Sequence, residues 1–550
     1  VPFPDPGVAR WVPEPGAEPA LRDLTVGGLL DEAIAKWPDQ EAIVFSAYDD
    51  LGVAARWTYA ELGERARRVG KALIAAGISA GERIGIWATN LPEWLELQFG
   101  AAYAGVVIIP MNPLYRASEV EFVLAKAGAA ACFVLPEDRG ASLWDIAAKA
   151  TMGIPSVRLL VPLGAGRDGA PGWEEWLAAG DAISDDALEK RRQAVRAADT
   201  SQIQFTSGTT GFPKGAELSH GGIVNNARIF AHKATLRENG RHSNPMPYFH
   251  CGGCVMATLG SIYRGMAQLP AIKFEPGRIA QTIEAERATS VSLVPTMMIA
   301  LEEEVAKSGR DLSSLEVVVG GGSPVPPEVM NRWIEKYGIG MANTYGMTEC
   351  SPVICETLPG DPVLLQTTTV GPPLPHIEVE IVTPGTTEPV AIGAEGELRS
   401  RSSMVMKGYW DNPEETAAAI DPDGFMRSGD LARMDENGYV SITGRAKEMI
   451  IRGGENIFPA EIEHAVRALD QVADVAVIGV PDERYGEVCC AYVRLADGQS
   501  LGLEQLRDLL TGQIARYKIP AHLRTLEELP LTPSGKVQKF KLKERFESGS

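Results

Sequence analysis

The chain has 550 residues, too many for one ordinary hydrophobic core, so two or more domains are expected. Hydrophobic residues make up 45% and charged residues 23%, the balance of a globular protein, and no apolar run has the length of a membrane helix. A formal net charge of -20 excludes the broad basic field that gathers nucleic acid or anionic lipid, so an anionic ligand needs a local device of backbone amides and fixed cations.

In chain order, Tyr59 to Ala76 has helical periodicity, Arg83 to Ala88 reads as a buried strand, and Pro92 to Ala104 is helical again. The longest apolar stretch, Phe99 to Met111, contains Gly105 and reads as a buried helix followed by a buried strand. Val106 to Ile109 and Ala131 to Leu135 are further short strands. Val291 to Val294 and Leu315 to Val319 continue the alternation, preceded by a helix over Pro276 to Glu286. Near His376 the pattern changes. His376 to Val382 alternates strictly, as a half-buried antiparallel strand does, and Gly396 to Ser400 and Gly438 to Ile442 are similar. Beyond Arg445 a small unit begins, with a helix from Pro459 to Leu469, strands over Asp474 to Val480 and Val488 to Leu495, and a helical face of Leu503, Leu506, Leu510 and Ile514. The expected fold is α/β. A large N-terminal domain, residues 1–446, holds parallel α/β sheets and a β-rich subdomain; a small mobile α+β domain spans 447–550.

The N-terminus lacks the basic stretch and apolar core of a signal peptide, and seven cysteines without framework spacing fit a reducing compartment. A cytoplasmic location is therefore expected. Cys251 and Cys254 have CxxC spacing, but no second CxxC or spaced His pair completes a zinc site. They read as small residues lining a tight turn or pocket.

The segment Phe205 to Ala216 holds four hydroxyl residues (Thr206, Ser207, Thr209, Thr210), three glycines including Gly208, and Lys214. Glycines let backbone amides approach an anion, hydroxyls donate to it, and lysine adds a point charge. It is not a Walker loop, because Lys214 is followed by Gly215. A glycine run, Gly320 to Gly322 with Ser323, follows the strand ending at Val319, a sign of close backbone approach to a ligand.

At these residues the chain resembles the adenylate-forming superfamily, which includes acyl-CoA synthetases, aryl-CoA ligases, firefly luciferase and peptide-synthetase adenylation domains. The resemblance runs in order from about Leu24 to Lys543 and most closely suits acyl-CoA synthetases. It implies an ATP site made of the 206–210 loop, Lys214, Gly322, Ser323, and Asn343, Thr344, Tyr345, Gly346 and Thr348 of the segment Asn343 to Glu349. Tyr345 suits stacking on a purine, Thr348 a phosphate oxygen, and Glu349 the Mg²⁺ that accompanies ATP. Asp430 matches the family's grip on ribose, supported by Arg445. Lys447 matches the hinge. Arg452, Gly453, Gly454 and Glu455 match a loop against coenzyme A, and Arg516 to Pro520 resembles the same class. Lys536 matches the adenylation lysine, which meets the substrate carboxylate and the α-phosphate. An acyl pocket is implied at Tyr248, His250, Cys251, Gly252, Val294, Gly320, Gly321 and Met347, with His250 closing over the carboxylate. The implied catalytic set is Lys536, His250, Thr348 and Glu349.

The reading is thus an ATP- and Mg²⁺-dependent synthetase that joins a medium- or long-chain fatty acid, or an aryl acid, to AMP and then to coenzyme A. Its partners are small molecules, with no nucleic acid and no integral membrane segment, and a homodimer is left open. Alternatives are a ligase passing the acyl group to a carrier-protein thiol or an amine, a luciferase-type oxidation, and a non-catalytic nucleotide-binding regulator.

Overall fold

The structure, a computed structural model, describes residues 7–46, 48, 52–206, 213–323, 325–445, 448, 450–452, 455–457, 459–482, 484–532 and 537–549. Two compact units divide the chain. The first comprises Val12–Glu378 and Ser400–Met426; the second comprises Val379–Arg399 and the chain from Arg427 onward, with the N-terminal strand Arg10–Trp11. Ala446 and Lys447, the expected boundary and hinge, lie outside the described residues.

The first unit is the expected α/β body. Among its described residues, seven strands form one sheet in the order Gly408–Tyr409, Lys214–Ser219, Thr200–Thr206, Val107–Met111, Arg83–Trp87, Ala129–Val134 and Leu159–Pro162. From Thr200–Thr206 onward the neighbours are parallel. Eight strands form a second sheet: Val353–Glu356, Gly340–Gly346, Val317–Gly321, Ser290–Leu293, Arg241–Asn244, Ala267–Pro270, Glu41–Phe45 and Ala55–Thr58. Only its two end pairs are antiparallel.

Parallel sheets need both faces covered, which explains the near-continuous apolar strands. The helix Pro92–Ala104 starts on Pro92, ends at Gly105 and is buried along its whole length apart from Glu93. The helix His220–Lys233 touches strands of both sheets, Lys214–Ser219 and Val353–Glu356, and Ser219 caps it by accepting from the Gly222 N–H at 3.0 Å. Among the described residues, no helix is long and apolar enough to cross a membrane.

One expectation changes here. Glu378–Val382 alternates in sequence like a half-buried strand, yet both its faces are buried. The buried face that carries glutamates is neutralised by arginines from the next strand: Arg399 Nε donates to Glu380 at 2.8 Å and Arg401 Nε to Glu378 at 3.0 Å.

In the C-terminal part of the second unit, Val472–Asp482 pairs antiparallel with Gly486–Leu495. Val475 and Val477 face the helices Pro459–Arg467 and Leu503–Leu510, while Ala476, Ile478 and Val480 face Leu542 of the helix Lys539–Glu547. This period-two split lets one apolar hairpin hold helices on both sides. The helix expected to include Ile514 ends at Leu510, and Ile514 reaches the same core from beyond it.

Backbone crowding gives a stability prediction. Gly371 has φ +78°, and a Cβ there would stand 2.0 Å from the Glu356 carbonyl oxygen. The segment it begins pairs with the strand Val353–Glu356, through Glu356 N–H donating to Pro372 at 3.2 Å. Gly371→Ala is expected to cost roughly 3 kcal/mol or more, read as a lower melting temperature and denaturant midpoint. A wild-type melting curve would contradict this packing.

Candidate active site

Ligands of parallel α/β sheets bind beyond the carboxyl ends of the strands. The sequence-selected residues of the first unit fall there. Thr206 ends its strand, and Lys214 is its antiparallel partner; residues 207–212 between them lie outside the described ones. Gly320 and Gly321 end one strand of the second sheet, with Gly322 and Ser323 just past it. Asn343, Thr344, Tyr345 and Gly346 end the next strand, in register with the glycines: Gly320 faces Asn343 and Gly321 faces Thr344. Val294 follows the strand Ser290–Leu293 and contacts the Gly322 position.

The two sheets are tied at this edge. Gln204 donates to the Phe249 carbonyl at 2.7 Å, and the Cys251 thiol donates to the Gln204 amide oxygen at 2.9 Å. Cys251 also hydrogen-bonds the Thr348 side chain, and burial holds its thiol well above the ordinary range. The CxxC pair therefore sits in a buried helical turn beneath the site; all seven cysteines are free and buried.

Glu349 is buried, and its position is set by two contacts. Its carbonyl accepts from the Met406 N–H at 2.7 Å, and its Oε1 accepts from the Tyr409 hydroxyl at 2.8 Å. Burial, and then Glu349 itself, push the Tyr409 hydroxyl above the usual phenol range, so it remains a donor. The Lys214 ammonium lies 5.3 Å from the centre of the Tyr409 ring and pairs with Glu415. Glu415 is in the first turn of the helix Pro413–Ala419, fixed by Asn412 capping its N–H at 3.3 Å. Tyr409 thus meets a lysine at its ring and a carboxylate at its hydroxyl. Among the described residues, no cluster of three or more His, Cys, Asp and Glu side chains gathers to hold a metal.

Gly346 turns the chain tightly beside Glu349: a Cβ there would lie 1.9 Å from the Pro352 carbonyl oxygen. Tyr345 stays half-exposed at the strand end. Asn343 and Thr344 face inward. The Asn343 amide donates to the Thr369 carbonyl at 2.9 Å, and Thr344 Oγ1 donates to the Gly320 carbonyl at 2.8 Å. They stiffen the site wall.

The acyl-pocket residues fall into two layers. Tyr248 is fully buried, its hydroxyl donating to Gln268 at 2.8 Å and its ring 5.1 Å from Trp94, so with Cys251 it backs the wall. Gly252 is buried as well, while His250 and Met347 are partly exposed and nearer the edge. His250 Nδ1 accepts from the Gly252 N–H at 3.2 Å, which leaves Nε2 as the protonated nitrogen of the neutral ring. Beneath Gly320, a Cβ would meet Met298 Cε at 2.8 Å and Met341 Cε at 3.7 Å, so two flexible thioethers fill that space.

The remaining candidates belong to the second unit. Asp430 and Arg445 are directly opposed across two antiparallel strands, with Arg445 Nε 3.0 Å from the Asp430 carboxylate. Arg452 donates to the Tyr517 carbonyl at 2.9 Å and stacks 4.4 Å from the Tyr485 ring. Lys447, Gly453, Gly454, Lys536 and the Glu455 side chain lie outside what the structure describes.

Sequence reasoning passes over Tyr409, Glu415 and Gln204. For Glu415 a signal exists, since Asn412-Pro413 followed by Glu414 and Glu415 announces a capped helix start. For Tyr409 there is none, because its partner Glu349 is 60 residues away.

Comparison with known proteins places the geometry. Residues 30–410 match the AMP-binding enzyme family and residues 461–536 the AMP-binding enzyme C-terminal domain. YngI of Bacillus subtilis (strain 168), which bears a provisional acyl-CoA synthetase name, is 39% identical over 95% of this chain and 97% of its own. Mitochondrial medium-chain acyl-CoA ligase ACSF2 of Danio rerio is 36% identical over 96% of this chain and 89% of its own. The crystal structure of ATP-bound MatB from Rhodopseudomonas palustris has a TM-score of 0.82 at 29% identity, covering 94% of this chain and 99% of that one.

Proposed function

The chain belongs to the AMP-binding enzyme family, and from that premise we propose that it is an AMP-forming acyl-CoA synthetase acting on medium-chain carboxylic acids. The observation that carries the reading is that Tyr409, at the strand ends, has the Lys214 ammonium 5.3 Å from its ring centre and donates its hydroxyl to Glu349.

A carboxylate is a poor electrophile, and ATP activates it. A carboxylate oxygen attacks the α-phosphorus, the bond to pyrophosphate breaks, and an acyl-AMP anhydride forms. The coenzyme A sulfur then attacks the acyl carbon, the bond to AMP breaks, and the thiol proton passes to solvent. Positioning and charge neutralisation supply most of the acceleration. In this reading Lys214 and the 206–210 loop hold the phosphates, Tyr345 stacks on adenine, and Asp430 with Arg445 holds the ribose. Gly322 and Ser323 border the nucleotide. Glu349 supplies a hard-oxygen donor, and the described residues gather no cluster of three or more ligating side chains, which fits Mg²⁺ arriving on the triphosphate with its own waters. That ion would neutralise charge on the departing pyrophosphate. His250, donating from Nε2, orients the acid carboxylate. Lys536 joins for adenylation. A small C-terminal domain beginning at Lys447 then turns to bring the 452–455 loop to coenzyme A.

The acid class rests on the apolar floor under Gly320 and on the ligase named medium-chain. Met298 and Met341 are unbranched, flexible side chains beneath Gly320, able to repack around an apolar acyl chain. The test is kcat/KM across saturated acids of increasing length and aryl acids. A maximum at medium-chain acids supports the reading; a maximum at acetate overturns the acid class.

A further inference from the structure

Tyr409 belongs to the strand Gly408–Tyr409, which pairs antiparallel with the strand that begins at Lys214, placing Tyr409 opposite Ala216. This register sets the ring beside the lysine, its centre 5.3 Å from Nζ, and aims the hydroxyl at Glu349 Oε1, 2.8 Å away. One rigid side chain therefore touches two groups of opposite charge. A donor on one carboxylate oxygen fixes the plane of the carboxylate and leaves its other oxygen for a ligand. The ring face attracts a cation and limits where the ammonium can go. Lys214 also pairs with Glu415, a contact that incoming phosphates must replace, and the ring keeps the ammonium at the site during that exchange.

We propose that Tyr409 is a positioning residue for adenylation: its hydroxyl aims Glu349 at the divalent cation of the bound nucleotide, and its ring holds Lys214 toward the phosphates. The proposal rests on the function given above. Groups that hydrogen-bond a metal-binding carboxylate typically contribute about 10- to 100-fold to metal affinity.

The experiment compares wild type with Tyr409→Phe, which keeps the ring, and Tyr409→Leu, which removes it. Mn²⁺ binding in the presence of a non-hydrolysable α,β-methylene analogue of ATP is read by electron paramagnetic resonance. Binding of the metal-free analogue and the Mg²⁺ dependence of pyrophosphate exchange are measured alongside. Tyr409→Phe should weaken Mn²⁺ binding about 10-fold or more and raise the half-saturating Mg²⁺, without weakening metal-free analogue binding. Tyr409→Leu should in addition weaken the metal-free analogue by roughly 3- to 10-fold. Unchanged melting curves for Tyr409→Phe separate positioning from folding. If Tyr409→Phe binds Mn²⁺ as tightly as wild type, the positioning role is overturned alone. If wild type binds no nucleotide, the proposed function falls with it.

Discussion

Lys214→Met lowers kcat/KM for ATP in acid-dependent pyrophosphate exchange by roughly 100- to 1,000-fold, while the melting temperature stays near that of wild type. Methionine keeps the length and the apolar stem of lysine and removes only the charge. The ammonium sits in a half-enclosed place, its side chain 17% exposed, so a phosphate meeting it there is screened less than at an open surface. Removing it also leaves Glu415 unpaired at the mouth of the site, a carboxylate facing incoming phosphates. Both consequences weaken nucleotide binding and the stabilisation of charge on the leaving pyrophosphate. Lys214→Arg should recover only part of the loss, because the broader guanidinium does not match a point charge beside an aromatic ring. An unchanged KM for ATP in Lys214→Met would remove Lys214 from the phosphate site.

Lys536→Ala should separate the two half-reactions. Adenylation is expected to slow by about 1,000-fold, whereas thioester formation from supplied acyl-AMP should stay within about 3-fold of wild type. The described residues around it fit such a role. Lys539, three positions on, places its ammonium 2.7 Å from Glu448 and 2.8 Å from Glu463, and Glu463 also accepts from the Val477 N–H at 2.8 Å. The start of the helix Lys539–Glu547 is thereby anchored to Glu448 and, through Glu463 of the helix Pro459–Arg467, to the edge strand Val472–Asp482. Single-turnover acyl-AMP formation, measured beside the rate of thioester formation from synthetic acyl-AMP, checks the separation. Equal damage to both steps would contradict it.

Much of the α/β body is legible in the sequence because its elements carry their own boundaries. Pro92 and Pro276 sit at the first turns of helices that begin at those residues, and the helix Pro276–Glu286 has the ends read from its periodicity. The glycine run after Val319 and the segment Asn343 to Glu349 both lie at strand ends, where a ligand is expected, because each motif is local in the chain. What is not legible depends on distant partners. The strand Glu378–Val382 looks half-exposed until Arg399 and Arg401 are seen to neutralise its glutamates. The Lys214–Glu415 pair spans 201 residues, and no local pattern announces that both meet at one aromatic ring. Tyr248 shows the converse. It is adjacent to the motif around His250, yet Gln268 and Trp94 draw it into the core. Sequence proximity gives membership of a wall, while side-chain partners decide which layer each residue occupies.

The central claim, activation of an acid as its adenylate for transfer to coenzyme A, is tested most directly by product stoichiometry. The enzyme is incubated with MgATP and a medium-chain acid, first alone and then with coenzyme A, and nucleotides, pyrophosphate and thioester are quantified. The account predicts enzyme-bound acyl-AMP in the first stage, followed on adding coenzyme A by turnover giving one AMP and one pyrophosphate for each acyl-CoA. Formation of ADP and phosphate, or an acyl-AMP that coenzyme A does not consume, would contradict it.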